Sequence, residues 1–312
     1  VKNLGFQLEE LCLQAEREVL LVAPFIKVNV LERLLKGIDK SIKVRCVTRW
    51  KPDEIAAGVS DVDVWLLIEE RVNCTLWLRS DLHAKYYRGD QRALIGSANL
   101  TNAALGWSKR SNLEILIHSD PITDFEQELF TGSVEVDDSL YQHIKQIVDA
   151  LPTQITPVLE DFAPELLEDD EVLSIPVEAW LPILRHPENL YKAYIGDWDQ
   201  LGTGSRIAAL SDLQALDIPR GLNREQFEAY VGVQLLQKPI VRQVDRFVET
   251  PQRFGAVRDF LKTLTCANQQ YFDADIAWQT LMRWLLYFPP YNHYTKLANH
   301  SEIFARKDIQ HD

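Results

Sequence analysis

No apolar run in this 312-residue chain approaches the roughly 18 consecutive residues that a membrane-spanning helix needs, so no membrane partner is expected. The opening Val1-Lys2-Asn3-Leu4-Gly5 lacks the basic-then-apolar pattern of a secretory signal, and a cytoplasmic location is expected. It also lacks an initiator Met; either the true start lies upstream or a Val codon served as the start. Cysteine is scarce: Cys12, Cys46, Cys74 and Cys266 are scattered and form no C-x-x-C pair. A disulfide framework and a zinc site are therefore not expected, and no metal or other cofactor is. Basic charge is also in short supply, with 33 Lys and Arg against 46 Asp and Glu and a formal net charge of −13. That balance argues against a generally basic coat for nucleic acid but leaves room for a local basic cleft. No repeat or low-complexity tract is present.

The length suggests two domains. Residues 1–150 alternate helix and strand signals. Leu8–Arg17 places Leu8, Leu11, Cys12 and Ala15 on one helical face, and Leu31, Leu34 and Leu35 mark a second helix. Strands are predicted at Glu18–Phe25, Ile42–Thr48, Asn73–Leu78, Leu82–Arg88, Arg92–Ser97 and Leu113–His118, where apolar and β-branched residues run in short stretches. Helices follow Asp120-Pro121 and span Ser139–Ala150. This pattern predicts a layered α/β domain. Residues 151–172 contain Pro152, Pro157 and Pro164, seven carboxylates and no Lys or Arg, and are expected to be an acidic linker or a gate over an anion site. From 173 to 312 the pattern is helical, with helices predicted at Arg206–Leu216, Arg224–Leu236, Lys238–Glu249, Phe254–Leu264 and Asp275–Tyr287.

The chemistry concentrates in Leu82-His83-Ala84-Lys85-Tyr86-Tyr87-Arg88-Gly89-Asp90 and the following Gly96-Ser97-Ala98-Asn99. On a strand, His83, Lys85 and Tyr87 share a face, and Gly89-Asp90 fits a turn. A returning strand would bring Ser97 and Asn99 alongside. An imidazole, an ammonium, a hydroxyl and a carboxamide would then converge, a set that suits a phosphodiester. Lys85 and Asn99 can hold the non-bridging oxygens as charge grows. His83 can attack phosphorus or carry protons. Gly96 would let a phosphate approach the backbone.

These residues resemble the H-x-K-x4-D and G-S-x-N signature of the phospholipase D superfamily: His83, Lys85 and Asp90 match the first part, and Gly96, Ser97 and Asn99 the second. The resemblance extends over roughly residues 5–150, and the spacing from Asp90 to Gly96 is one residue shorter than usual. It implies a phospholipase D-like sheet-and-helix domain and two-step, metal-independent phosphodiester cleavage. His83 would be the nucleophile, Lys85 and Asn99 would bind phosphate with help from Ser97, and Asp90 would be mainly structural. Glu114 would orient the imidazole. A second histidine is needed. His143-Ile144-Lys145 does not provide it, because it sits in a helical pattern with the wrong spacing to Asp149. With one copy of the motif, the resemblance implies a homodimer.

Outside the motif, Arg49, Trp50 and Lys51 follow a strand, where a loop could form a phosphate-contacting and base-stacking rim or an ordinary solvated surface. Trp107, Lys109 and Arg110 are similar candidates for substrate contact. Lys238, Arg242 and Arg246 form a basic stripe on a predicted helix, either a wet face or a contact to nucleic-acid backbone. Tyr86 and Tyr87 are expected to pack. The leading expectation is a nuclease of the bacterial phospholipase D-like type, acting on DNA rather than RNA, with a helicase or defence complex as a further partner. The alternatives are a lipid or small-molecule phosphodiesterase or transferase, and a non-catalytic nucleic-acid-binding subunit.

Overall fold

The computed structural model describes residues 4–150, 175–199, 201–269, 272–298 and 301–307. It divides into two compact units that part within the helix ending at Ala150. The predicted acidic segment lies outside the described residues. Among the described residues no helix is long and apolar enough to cross a membrane.

The first unit is built as α1 (Leu4–Leu13), β1 (Glu18–Val22), α2 (Val28–Gly37), β2 (Lys43–Thr48), α3 (Pro52–Ala56), α4 (Val64–Glu69), β3 (Cys74–Leu78), β4 (Lys85–Gly89), β5 (Arg92–Gly96), β6 (Leu116–Ser119), α5 (Thr123–Thr131), β7 (Val134–Glu135) and α6 (Asp138–Ala150). The strands form one seven-stranded sheet in the order β6-β5-β4-β1-β2-β3-β7. β1, β2 and β3 run parallel, while β4, β5 and β6 return antiparallel from the other edge of β1. The mixed α/β class predicted from the sequence is what the chain forms.

Both faces of the sheet are covered, which explains why β1 reads as an unbroken apolar run instead of an alternation. Leu20 and Val22 of β1, Val47 of β2 and Tyr86 of β4 pack toward Phe125, Leu129 and Phe130 of α5. Residues of opposite parity face α1, where a Cβ on Gly89 would lie 2.8 Å from the Leu11 carbonyl oxygen. Arg88, buried in β4, donates to Glu126 of α5 at 2.6 Å and to Glu18 of β1 at 2.6 Å, tying helix and sheet together. Tyr86 and Tyr87 are both buried, as expected of packing residues.

The strand predictions needed trimming. β4 starts at Lys85, so Leu82, His83 and Ala84 precede it in irregular backbone. β5 stops at Gly96, and β6 starts three residues later than predicted, at Leu116. The helices α3 and α4 and the short β7 were not predicted; each is too short to display a period.

In the second unit, two short 3-10 turns, Val177–Ala179 and Pro187–Asn189, lead into α7 (Leu190–Tyr194), α8 (Thr203–Leu216), α9 (Arg224–Leu236), α10 (Pro239–Phe247), β8 (Gln252–Arg253), α11 (Phe254–Leu261), α12 (Ala274–Tyr287), β9 (His293–Ala298) and β10 (Ser301–Arg306). The five predicted helices are all present. Asn223 and Gln226 form a reciprocal capping box that starts α9, and Asp273 caps α12. A core of Trp180, Phe227, Tyr230, Trp278, Trp284, Phe288 and Phe304 is fully buried. The three-stranded sheet β8-β10-β9 was not predicted.

The basic stripe expected at Lys238, Arg242 and Arg246 is not one continuous surface: Arg246 is exposed, but the other two are buried. Lys238 and Arg242 are each 3% exposed. Lys238 Nζ donates to the Ala215 carbonyl at 2.6 Å. Arg242 Nη1 donates to Asp245 at 2.5 Å, and Asp245 also takes Arg306 at 2.6 Å and His293 at 3.0 Å. Burial pushes the Asp245 carboxyl up, but His293, Arg306 and Arg242 outweigh it and hold it well below the usual carboxylate range. Asp212 of α8 is the contrasting case. It is fully buried and accepts only backbone N–H groups, from Ile183 at 3.1 Å and Leu184 at 2.8 Å; burial dominates and pushes it up to about 7.

Candidate phosphodiester site

The two halves of the motif meet because β4 and β5 are hairpin partners. Lys85 pairs with Gly96 and Gly89 with Arg92, leaving Asp90-Gln91 as the turn. β4 also pairs with β1, with Val22 opposite Tyr86. The end of the hairpin that carries Lys85 and Gly96 therefore lies beside the carboxyl end of β1, at the same side of the sheet as the carboxyl ends of β2 and β3. Carboxyl ends of parallel strands are where open α/β sheets bind ligands.

His83 is exposed, two residues before the strand. Lys85 Nζ donates to the His83 carbonyl at 2.8 Å, which keeps the ammonium beside the imidazole-bearing residue. Tyr87, next on the same face, is fully buried and donates to the Ala98 carbonyl at 2.5 Å. Burial and the nearby Glu114 push this phenol well above its usual range, so it remains a neutral donor that ties β4 to the G-S-x-N turn.

Asn99 is held from the other side. Its Oδ1 accepts the Phe25 N–H at 3.3 Å, just beyond β1. Because the backbone group can only donate, the amide's orientation is fixed, and its NH2 group presents the remaining donors, a set suited to an anion. The adjacent Leu100 forms a parallel bridge to Ile26 and its N–H donates to the Phe25 carbonyl at 3.1 Å, so the turn is anchored to the chain leaving β1.

Ser97 is exposed, and its hydroxyl is engaged twice. It donates to Glu114 and accepts the Ile115 N–H at 3.1 Å. Asn112 donates to the other Glu114 oxygen at 3.2 Å. Ser97 thus orients Glu114, a positioning role that the sequence alone did not indicate.

Several expected site residues fall elsewhere. Asp90 lies at the opposite end of β4, about 16 Å of extended chain beyond Lys85. There it accepts backbone N–H groups from Glu16 at 2.6 Å, Arg17 at 3.1 Å and Glu18 at 2.9 Å. Burial pushes the carboxyl up, the three donors outweigh it, and the net position is below the usual range. There it fastens the α1–β1 connection to the hairpin, away from Lys85 and Asn99.

At Gly96 a Cβ would lie 1.8 Å from the Ile115 carbonyl oxygen, so the approach of the segment before β6 by itself requires the glycine. Trp50 is fully buried and Arg49 is 4% exposed, so neither forms a stacking rim. Arg49 instead forks onto Glu54, at 2.5 Å and 3.2 Å, and donates to the Leu82 carbonyl at 3.0 Å. Trp107 packs against Gly5 and beneath Arg33, whose guanidinium carbon lies 3.9 Å from the ring centroid. Lys109 and Arg110 are exposed in the loop after the G-S-x-N turn. His143 is buried in α6. Among the described residues no group of three or more His, Cys, Asp and Glu side chains could hold a metal ion.

No protein-family model matches this chain, and no curated protein does. Among solved structures it is similar to NucT from Helicobacter pylori, at 15% identity and a TM-score of 0.33, covering 42% of this chain and 89% of that one. It is also similar to phosphatidylserine synthase from Haemophilus influenzae Rd KW20, at 12% identity and a TM-score of 0.33, covering 41% of this chain; it spans only 33% of the synthase chain.

Proposed function

We propose that this chain is a phosphodiesterase of the phospholipase D type that cleaves nucleic acid, DNA before RNA, through a phosphohistidine. The observation that carries the reading is the meeting of exposed His83, Lys85 and donor-presenting Asn99 at one end of the β4–β5 hairpin. In the first step a ring nitrogen of His83 bonds to phosphorus and the bond to the leaving oxygen breaks. A second imidazole gives that oxygen its proton. In the second step the same imidazole takes a proton from water, the oxygen bonds to phosphorus, and the bond from phosphorus to His83 breaks. Lys85 and the Asn99 NH2 meet the charge on the non-bridging oxygens. Exposed Lys109 and Arg110 extend that basic contact along a polyanion.

The second imidazole is His83 of another copy. A row of exposed apolar residues, Leu113, Ile115 and Ile117, flanks Glu114 and supports that reading, because exposed apolar rows favour contact with a partner. The test is cleavage of labelled single- and double-stranded DNA in EDTA by wild type and His83→Ala. Wild type is expected to cut with the chelator present, and the variant to be slower by at least about a thousand-fold. Cleavage by the variant at the wild-type rate would refute the assignment.

A further inference from the structure

The backbone that presents His83 lies outside the sheet ladder, so its position depends on other contacts. The Leu82 N–H closes a turn onto the Arg79 carbonyl at 3.1 Å. The two successive carbonyls are each held by a cation. Lys85 takes that of His83 at 2.8 Å, and Arg49 takes that of Leu82 at 3.0 Å. Arg49 immediately follows β2, and its remaining guanidinium nitrogens are committed to Glu54 of α3 at 2.5 Å and 3.2 Å. The same guanidinium carbon lies 5.4 Å from the ring of Phe25, whose N–H fixes Asn99. Arg49 thus touches the three segments that deliver the nucleophile, the phosphate-binding amide and α3, yet it is too deeply buried to touch a polymeric substrate.

We propose that the buried Arg49–Glu54 pair is a positioning device that sets where His83 stands at the site. This rests on the reading of His83 as nucleophile for its consequence in catalysis, but not for the geometry. A planar fork is needed, because one group must bind both carboxylate oxygens and still reach a carbonyl. Lysine, with a single nitrogen, cannot do this. Glu54→Gln offers only one oxygen to the fork and removes the opposing charge.

The experiment compares Arg49→Lys and Glu54→Gln with Arg71→Met. Arg71 is a control whose guanidinium also holds carbonyls, those of Leu35, Ile38 and Asp39 at the end of α2. Two readouts are taken on each folded protein. One is the carbon–proton NMR signal of the His83 ring, assigned by its loss in His83→Ala. The other is kcat and KM on a small chromogenic phosphodiester. In both site variants the His83 signal is expected to shift or split, and kcat to fall about 10- to 100-fold with KM changed less than about 3-fold, since small misplacements of a reacting group act mainly on the chemical step. Arg71→Met is expected to lower thermal stability and to leave both readouts at wild-type values. An unmoved His83 signal in both site variants would overturn the proposal. So would a kcat loss in Arg71→Met equal to theirs. If the wild type cleaves no phosphodiester, the functional reading fails, and the NMR comparison still decides the positioning role.

Discussion

Replacing Asp90 is expected to damage stability and spare catalysis. Its carboxylate takes three backbone N–H groups: Oδ1 binds Arg17 at 3.1 Å and Glu18 at 2.9 Å, and Oδ2 binds Glu16 at 2.6 Å. Hydrogen bonds to a charged acceptor contribute about 1.5–3 kcal/mol each, but these donors are partly open to water, so about 1 kcal/mol each is the better figure. Asp90 also has a φ of 51°, which Asn tolerates and Ala does so less well. Asp90→Asn keeps the Oδ1 bonds and sets an NH2 against the Glu16 N–H, for a loss of about 1–2 kcal/mol. Asp90→Ala loses all three bonds and adds backbone strain, for about 3–4 kcal/mol, or a melting-temperature drop on the order of 5–15 °C. The pH dependence gives a second check. The folded carboxyl lies below its usual range, so its contribution is present above the unfolded pKa of about 4 and disappears as pH falls through the folded value. The gap between wild type and Asp90→Asn should therefore close in acid. The assay is thermal unfolding from pH 7 down to pH 3, paired with kcat at 20 °C on the folded proteins. A kcat lost by orders of magnitude in Asp90→Asn with the melting temperature unchanged would show that the residue acts at the chemistry and that its placement at the far end of β4 misleads.

Gly96→Ala should separate β5 from the β6 segment, because the new methyl meets the Ile115 carbonyl oxygen; a loss of about 3 kcal/mol or more and reduced activity through displaced Glu114 are expected in urea titrations and cleavage assays. The second unit should lose stability as pH rises. Asp212 is raised to about 7, so its neutral form favours folding below about pH 4, and that contribution is lost progressively up to pH 7. Tryptophan fluorescence in urea at pH 5 and pH 8 should show a weaker wild type at pH 8 and a smaller pH difference in Asp212→Asn; equal slopes would refute this. If one site uses His83 from two copies, an equal mixture of wild type and His83→Ala after subunit exchange should retain about one quarter of the activity, against about one half for independent sites.

The sequence was informative where one physical signal dominated. The helices of the second unit were legible, most clearly α10 through its apolar period, and the short Asp90-Gln91 turn sets Lys85 opposite Gly96 as the hairpin reading expects, although His83 and Asn99 lie outside the strands. It misled where a residue's usual habit was overridden. Arg49, Lys238 and Arg242 look like surface cations, yet each is buried: Arg49 and Lys238 reach the distant carbonyls of Leu82 and Ala215, and Arg242 pairs with Asp245 one helical turn on. No local pattern announces the two distant carbonyls; the local traces were Arg49 with Glu54 five residues on and Arg242 with Asp245 three residues on. Gly96 fits a phosphate-binding turn equally well, and only the position of Ile115 reveals the constraint. The small β8-β10-β9 sheet was missed because β8 has two residues and His293–Ala298 shows no apolar alternation.

The Asp245 cluster bears on how the second unit is made. Its carboxylate and Arg242 lie on α10, whereas its other partners, His293 and Arg306, are about 50 and 60 residues further along. During synthesis, α10 leaves the ribosome well before the strands that neutralise its charges. A core closed at that moment would enclose a carboxylate with only one of its three partners. Water around α10 is the better alternative until β10 arrives, so burying this carboxylate any earlier is disfavoured.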